Sequence, residues 1–138
     1  MRDAIADAYD RTPYESGCFP FTHPARMGAV ARLHGIEAPL PQNCRVLEIG
    51  CAMGQNLLPL ALQYPQAHFV GVDLSVVQIA RARASANDLG IENVELLHGD
   101  IRELQDQLRG PFDFIICHGV YSWVPPTVRD GILRCCAR

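Results

Sequence analysis

The order of apolar segments predicts an α/β protein built on a doubly wound parallel sheet. Four short runs, RVLEIG, AHFVGVDLS, NVELLHGD and FDFIICHGVYSWV, are rich in β-branched, aromatic or long apolar residues and alternate with segments of helical spacing. Strands apolar on both faces are covered on both sides, as in a parallel sheet flanked by helices. At 138 residues the chain is one domain by length.

Each element has a local reason. MRDAIADAYDRTPYES reads as a polar start. Thr22 is the expected N-cap of a short helix, Pro24 stands in its first turn, and Met27, Val30, Ala31 and Leu33 keep helical spacing until Gly35 ends it. The two prolines of APLPQN mark a linker. RVLEIG is the first strand, and QNLLPLALQY the helix behind it, with Pro59 near enough to the first turn to be tolerated. After the second strand comes the clearest helix. Ser75 and Gln78 form a capping box, the apolar face is expected to run through Val76, Ile79 and Ala80, and Gly90 closes it. IRELQDQLRG follows the third strand as a short helix, and Pro126 opens the last helix, PTVRDGILRCCAR.

Composition excludes several functions. Half the residues are hydrophobic (49%), a fifth charged (20%), and the net charge is −3, which describes a globular protein and no basic nucleic-acid binder. All twelve basic residues are arginine, so a phosphate loop of the Walker type and Schiff-base chemistry, which both need an amine, are out. Six cysteines lack CxxC or Cys/His spacing and read as reduced thiols, most of them buried, with neither a zinc site nor a disulfide framework. No run reaches membrane-spanning length, and the expected compartment is the cytoplasm.

In parallel sheets ligands bind beyond the carboxyl ends of the strands. Three of the four ends carry an acid: Glu48, Asp73 and Asp100. Gly50 and Gly54 allow a tight turn and close approach of backbone to ligand, with a helix start just behind. Asp73 is placed to take two ribose hydroxyls, Leu74 to cover a base, and Asp100 to accept from an exocyclic amine, with the Ile101 N–H for a ring nitrogen. These groups describe a nucleoside. A dinucleotide would want G-x-G-x-x-G, but Ala52 occupies the second glycine position, and Glu48 would repel a pyrophosphate while attracting a cation. S-adenosylmethionine, with an ammonium and a sulfonium, fits, and Glu48 is expected to hold its amino-acid end, its partner lying outside the chain. An internal ion pair with an arginine is the competing use of Glu48, and helix capping competes at Asp73 and Asp100.

VLEIGCAMG, VGVDLS, HGDI and FDFIICHGVYSWVP resemble, in order and spacing, the motifs of class I S-adenosylmethionine-dependent methyltransferases. FPFTHPARMGAVARLHG together with HGVYSWVPP is similar, more narrowly, to bacterial methyltransferases that carry a methyltransferase regulatory domain, some of them protein-lysine methyltransferases. The resemblance runs from Tyr14 to Arg138. It implies a Rossmann-like sheet with these strands in the spatial order third, second, first, fourth. It also implies S-adenosyl-L-methionine as cofactor and Glu48, Gly50, Cys51, Gly54, Asp73, Leu74, Asp100 and Ile101 as cofactor-binding positions. By the same resemblance the exit of the fourth strand faces the methyl group and its acceptor, which makes His118 and Tyr121 the candidates there, with hydrogen-bonded structure the competing use of His118. Cys51 and Cys117 read as small core residues, and Tyr121 and Trp123 as an aromatic wall or as ordinary packing. Ala52, where the family prefers glycine, puts a methyl group near the ligand.

A complete fold of this kind has a seven-stranded sheet, and the chain supplies its N-terminal four strands. The expected division is a helical cap segment, 1–40, and a partial methyltransferase domain, 41–138. An apolar fourth strand without a neighbour on its far edge is expected to invite self-association. Two other functions remain open at this point. One is a truncated, non-catalytic module that binds the cofactor or a partner; the other, which Ala52 disfavours, is a nicotinamide-dependent oxidoreductase.

Overall fold

A computed structural model describes residues 4–12 and 16–137. Tyr14 and Arg138, the limits of the resemblance, lie outside the described residues. Four strands, β1 (Arg45–Ile49), β2 (His68–Asp73), β3 (Val94–His98) and β4 (Phe114–Ile116), pair in parallel in the order β3-β2-β1-β4. The register sets Glu48 beside Gly71 on one side and Ile116 on the other. The expected Rossmann-like sheet and its strand order are present.

Alternation along β1 and β2 builds the two covering layers. Val46 and Phe69 face a cluster that includes Leu57, Ala61, Ile79 and Ala82, from the helices Leu57–Gln63 (α3) and Val76–Asp88 (α4). Leu47, Ile49, Val70 and Val72 face the other way, onto Ile101 and Leu104 of α5 (Ile101–Leu104) and Ile132 of α6 (Pro126–Cys136). Gly71 permits the first layer to sit close: a β-carbon there would lie 2.8 Å from Cys51 Sγ and 3.1 Å from Leu57.

Several elements differ from expectation. The polar start contains a helix, Ala4–Arg11 (α1). The next helix, Pro24–Leu33 (α2), is capped by His23, whose Nδ1 accepts from Ala25 N–H at 3.2 Å. Thr22 instead closes a 3₁₀ turn, Pro20–Thr22, by donating to Phe19 O. Of the apolar face expected of α2, Met27 packs against the core and Ala31 is half-buried, whereas Val30 at 47% and Leu33 at 86% are exposed; the fully buried positions are Pro24 and Gly28. Gly28 faces Phe114 and the Pro39 carbonyl, each 3.6 Å from where its β-carbon would stand. On α4 the buried positions are Gln78, Ile79, Ala82 and Ala86, while Val76 and Ala80 are exposed. Of the expected capping box one half forms, Gln78 N–H donating to Ser75 Oγ at 3.2 Å; the Ser75 N–H goes to Asp73. Of the cysteines, Cys44, Cys51 and Cys135 are buried, and all six are free thiols.

Candidate functional site

The carboxyl ends of β1, β2, β3 and β4 open into one cavity of about 660 Å³. It is walled by Glu48, Gly50, Ala52, Asp73, Leu74, Asp100, Ile101 and His118. Most of the positions chosen from the sequence are thus brought together. Three are not on its lining: Cys51, Gly54 and Tyr121. Cys51 belongs to the core under the turn, where burial pushes its thiol well above the ordinary range. Gly54, with φ +79°, starts the helical turn that leads into α3 and packs beside Leu58 and Ala82. Tyr121 is turned to Arg129, whose guanidinium lies 5.6 Å from the ring centre.

The glycine turn is held from two sides. The N–H groups of Gly50 and Cys51 both donate to Val72 O, at 2.8 and 3.1 Å, which ties the turn to the end of β2. Gly50 adopts φ +77°, and a β-carbon there would run into Val120 Cγ2. The segment leaving β4 therefore lies directly on the turn. Gly50→Ala is expected to cost about 2–4 kcal/mol, from left-handed backbone strain plus overpacking. A shift in the urea midpoint corresponding to less than about 1 kcal/mol would contradict that packing.

Ala52 also has positive φ, +50°, a conformation glycine would adopt with less strain. A bond holds it there: its N–H donates to Asp73 Oδ2 at 2.8 Å. The other oxygen, Oδ1, accepts from Ser75 N–H at 2.9 Å. Asp73 thus fixes both the turn and the start of α4, and each of its oxygens keeps a further lone pair for a ligand. Burial raises its pKa above the ordinary value, against the lowering effect of these N–H groups.

Glu48 is 4% exposed. Its Oε1 accepts from Asn56 Nδ2 at 2.9 Å, so one partner does lie within the chain; Oε2 has none. No arginine pairs with it among the described residues. Burial pushes its carboxyl up from 4.5 to about 7, with the Asn56 bond lowering it and the Asp73 charge raising it further. An uncompensated buried acceptor on a cavity wall is a place for a ligand donor, best a cationic one.

Asn56 is a residue the sequence did not single out. It stands at the N-cap of α3 but makes no capping bond. Its amide turns inward, donating to Glu48 and accepting from Phe19 N–H at 2.9 Å. Phe19 in turn stacks on His118, ring centres 4.0 Å apart. The segment before α2 therefore crosses from the Glu48 end of the cavity to the exit of β4. Tyr9 of α1 lines the cavity as well, and Asp10 beside it accepts from Ser75 Oγ at 2.6 Å. Trp123, 82% exposed, stands on the cavity wall.

Asp100 has close partners of its own. It caps α5 by accepting from Arg102 N–H at 2.8 Å, and the Arg102 guanidinium reaches its Oδ2 at 2.6 Å. The Arg102 side-chain bond holds its pKa below the ordinary value. A carboxylate has about four lone-pair sites, so an exocyclic amine can join the arginine here.

Comparison with known proteins agrees with this architecture. Residues 40–133 match the family model of a methyltransferase domain. The chain is 51% identical over 130 residues to an uncharacterised protein of Rickettsia prowazekii, covering 94% of this chain and 23% of that protein. A tRNA (guanine-N(7)-)-methyltransferase of Chloroflexus aggregans is 34% identical over 112 residues, covering 80% of this chain and 46% of that one. Among solved structures, PKMT2 from Rickettsia typhi in complex with AdoHcy superposes with a TM-score of 0.84 at 42% identity. That match covers 91% of this chain and 24% of PKMT2. The chain thus spans about a quarter of the length of the two Rickettsia proteins. By fold, strand-end motifs and family match, it belongs to the class I methyltransferase-domain family.

Proposed function

We propose that the cavity binds S-adenosyl-L-methionine and that the chain is the cofactor-holding part of a methyltransferase. One observation carries this: the buried Glu48 carboxylate keeps a partnerless oxygen on a cavity wall that also presents Asp73. Such a site asks for a ligand that is cationic and rich in donors. PKMT2 with AdoHcy supports the choice of cofactor.

In this reading Glu48 receives the ammonium of the amino-acid end, Asp73 the ribose hydroxyls, Leu74 covers the base, the Ile101 N–H meets a ring nitrogen, and Asp100 accepts from the base's amine. The bound cofactor supplies an activated methyl group on sulfur. The chain's residues supply alignment and exclusion of water. His118, on the cavity wall beside Phe19, faces the acceptor and is the candidate to take up its proton; Tyr121, turned to Arg129, stands aside from this arrangement. The acceptor we propose is a protein side-chain amine, in keeping with the narrower resemblance. Nucleic acid is not among the proposed partners, since a net charge of −3 gives little attraction for phosphate backbone.

Residues 1–40 act as a helical cap on the partial methyltransferase domain, 41–138, with the family match beginning at residue 40 in support. The outer edge of β4, unpaired among the described residues, takes up a second copy of the chain by strand addition. Among the described residues no helix is long and apolar enough to cross a membrane, and six free thiols accord with a reducing, cytoplasmic setting.

Calorimetric titration with S-adenosylhomocysteine, beside a titration with NAD, tests the proposal. Saturable binding of the first and none of the second is the expected result. A folded chain that binds neither would overturn the proposal, and tight binding of NAD would restore the oxidoreductase.

A further inference from the structure

Asn56 serves two partners at once. It is 4% exposed and makes no capping bond, so the start of α3 does not account for it. Its Nδ2 donates to Glu48 Oε1 at 2.9 Å and to Thr22 Oγ at 3.1 Å, while its Oδ1 accepts from Phe19 N–H at 2.9 Å. Thr22 Oγ donates in turn to Phe19 O at 2.9 Å. Phe19 and Thr22 stand 37 and 34 residues away in the sequence, so these bonds pin a distant segment onto the acid at the end of β1. An aspartate here would set a second negative charge beside Glu48, and a leucine could bond to neither side. A planar amide, with a donor on one side and an acceptor on the other, meets both demands.

The two partners belong to different ends of the cavity. Glu48 is the acid that receives an ammonium in the proposed arrangement, whereas Phe19 lies with its ring 4.0 Å from that of His118, at the exit of β4. One amide joins them. A carboxylate that has received a cation keeps its charge, and a hydrogen bond to a charged oxygen is about twice as strong as one to a neutral group. An amide held more firmly on its nitrogen side keeps its oxygen aimed at Phe19 N–H, and bonds linked in this way polarise one another. We infer that Asn56 is a positioning residue that couples the two ends of the cavity: it holds Phe19 against His118, and a cation received by Glu48 tightens that hold. The hold on Phe19 is a property of the ligand-free chain; the tightening rests on the proposed cofactor site.

Nuclear magnetic resonance of wild type, Asn56→Leu and Asn56→Ser tests both halves, with His118→Gln to assign the ring signals. A phenyl ring stacked on an imidazole moves the imidazole protons upfield. In the ligand-free Asn56 variants the His118 protons are expected to lose that displacement, while the amides of β1 and β2 keep their protection from exchange. Unmoved His118 signals in a folded variant overturn the inference, as does faster exchange across the sheet with the His118 signals in place, which would make Asn56 merely structural. In wild type, saturating S-adenosylhomocysteine is expected to slow exchange of Phe19 N–H about 5-fold. The compound 5′-methylthioadenosine, which keeps adenine and ribose but lacks the ammonium, should leave that rate unchanged. By reciprocity the Asn56 variants should bind S-adenosylhomocysteine about 5-fold more weakly and 5′-methylthioadenosine as well as wild type does. Equal slowing by both ligands, or by neither, overturns the coupling, and this comparison decides the matter if neither variant folds. A wild-type chain that takes up neither compound overturns the functional proposal and the coupling with it; the ligand-free His118 signals then show separately whether Asn56 holds Phe19.

Discussion

Glu48→Gln is expected to make the ligand-free chain more stable at pH 8 and at the same time to disable the cavity. The folded chain holds the Glu48 proton up to about pH 7, whereas the group ordinarily releases it at 4.5. Between those values the folded state binds the extra proton. The stability this contributes is complete below about pH 4.5 and is lost as pH rises through about 7. Above that, the folded chain carries a buried carboxylate with one partner. The pKa difference corresponds to about 3 kcal/mol. Glutamine keeps an oxygen for Asn56 and never ionises. Urea unfolding should therefore show the variant more stable by about 3 kcal/mol at pH 8, and the two chains within about 0.5 kcal/mol at pH 4. The same substitution removes a charge-assisted bond to an ammonium, an expected loss of about 10- to 100-fold in affinity for S-adenosylhomocysteine. Equal stability at both pH values would show that the burial of this acid has no energetic consequence. Undiminished affinity would place the ligand's charge elsewhere.

Asp73→Ala is expected to combine two losses. Its carboxylate holds the N–H groups of Ala52 and Ser75, and without it a left-handed alanine and the first turn of α4 lose their anchor. Removing a buried charge offsets part of this, because burial already raises the Asp73 pKa. A net destabilisation of about 1–3 kcal/mol is expected in urea unfolding. The loss in binding is larger, at least about 100-fold for S-adenosylhomocysteine, since both ribose hydroxyls lose a charged acceptor. Circular dichroism at the titration temperature separates the two, because a chain that keeps its fold and its affinity would exclude Asp73 from the site.

What could be read in the sequence was what local pattern decides. The four strands are short runs apolar on both faces, and their carboxyl ends, with Glu48, Asp73 and Asp100, follow from strand position alone. The remainder depends on contacts between distant segments. Helix α1 went unread because its repeat is short and rests on alanines rather than large apolar residues. Periodicity placed Val30 and Leu33 inside, but α2 buries Pro24 and Gly28 and leaves those two exposed. Asn56 looked like an ordinary residue at a helix start; its function is visible only once Glu48 and Phe19 are beside it. Gln78 matched a capping pattern, and the preference of the Ser75 N–H for Asp73 left its oxygen on the cavity wall. The constraint on Gly50 likewise comes from Val120, a contact no glycine motif announces.

The most direct test of the account is a crystal structure of the chain grown with S-adenosylhomocysteine. The expected result is the ligand across the carboxyl ends of the strands, with its ammonium directed at the Glu48 carboxylate and its ribose hydroxyls at Asp73. A ligand bound away from these two acids, or a cavity left empty at saturating ligand, would contradict it.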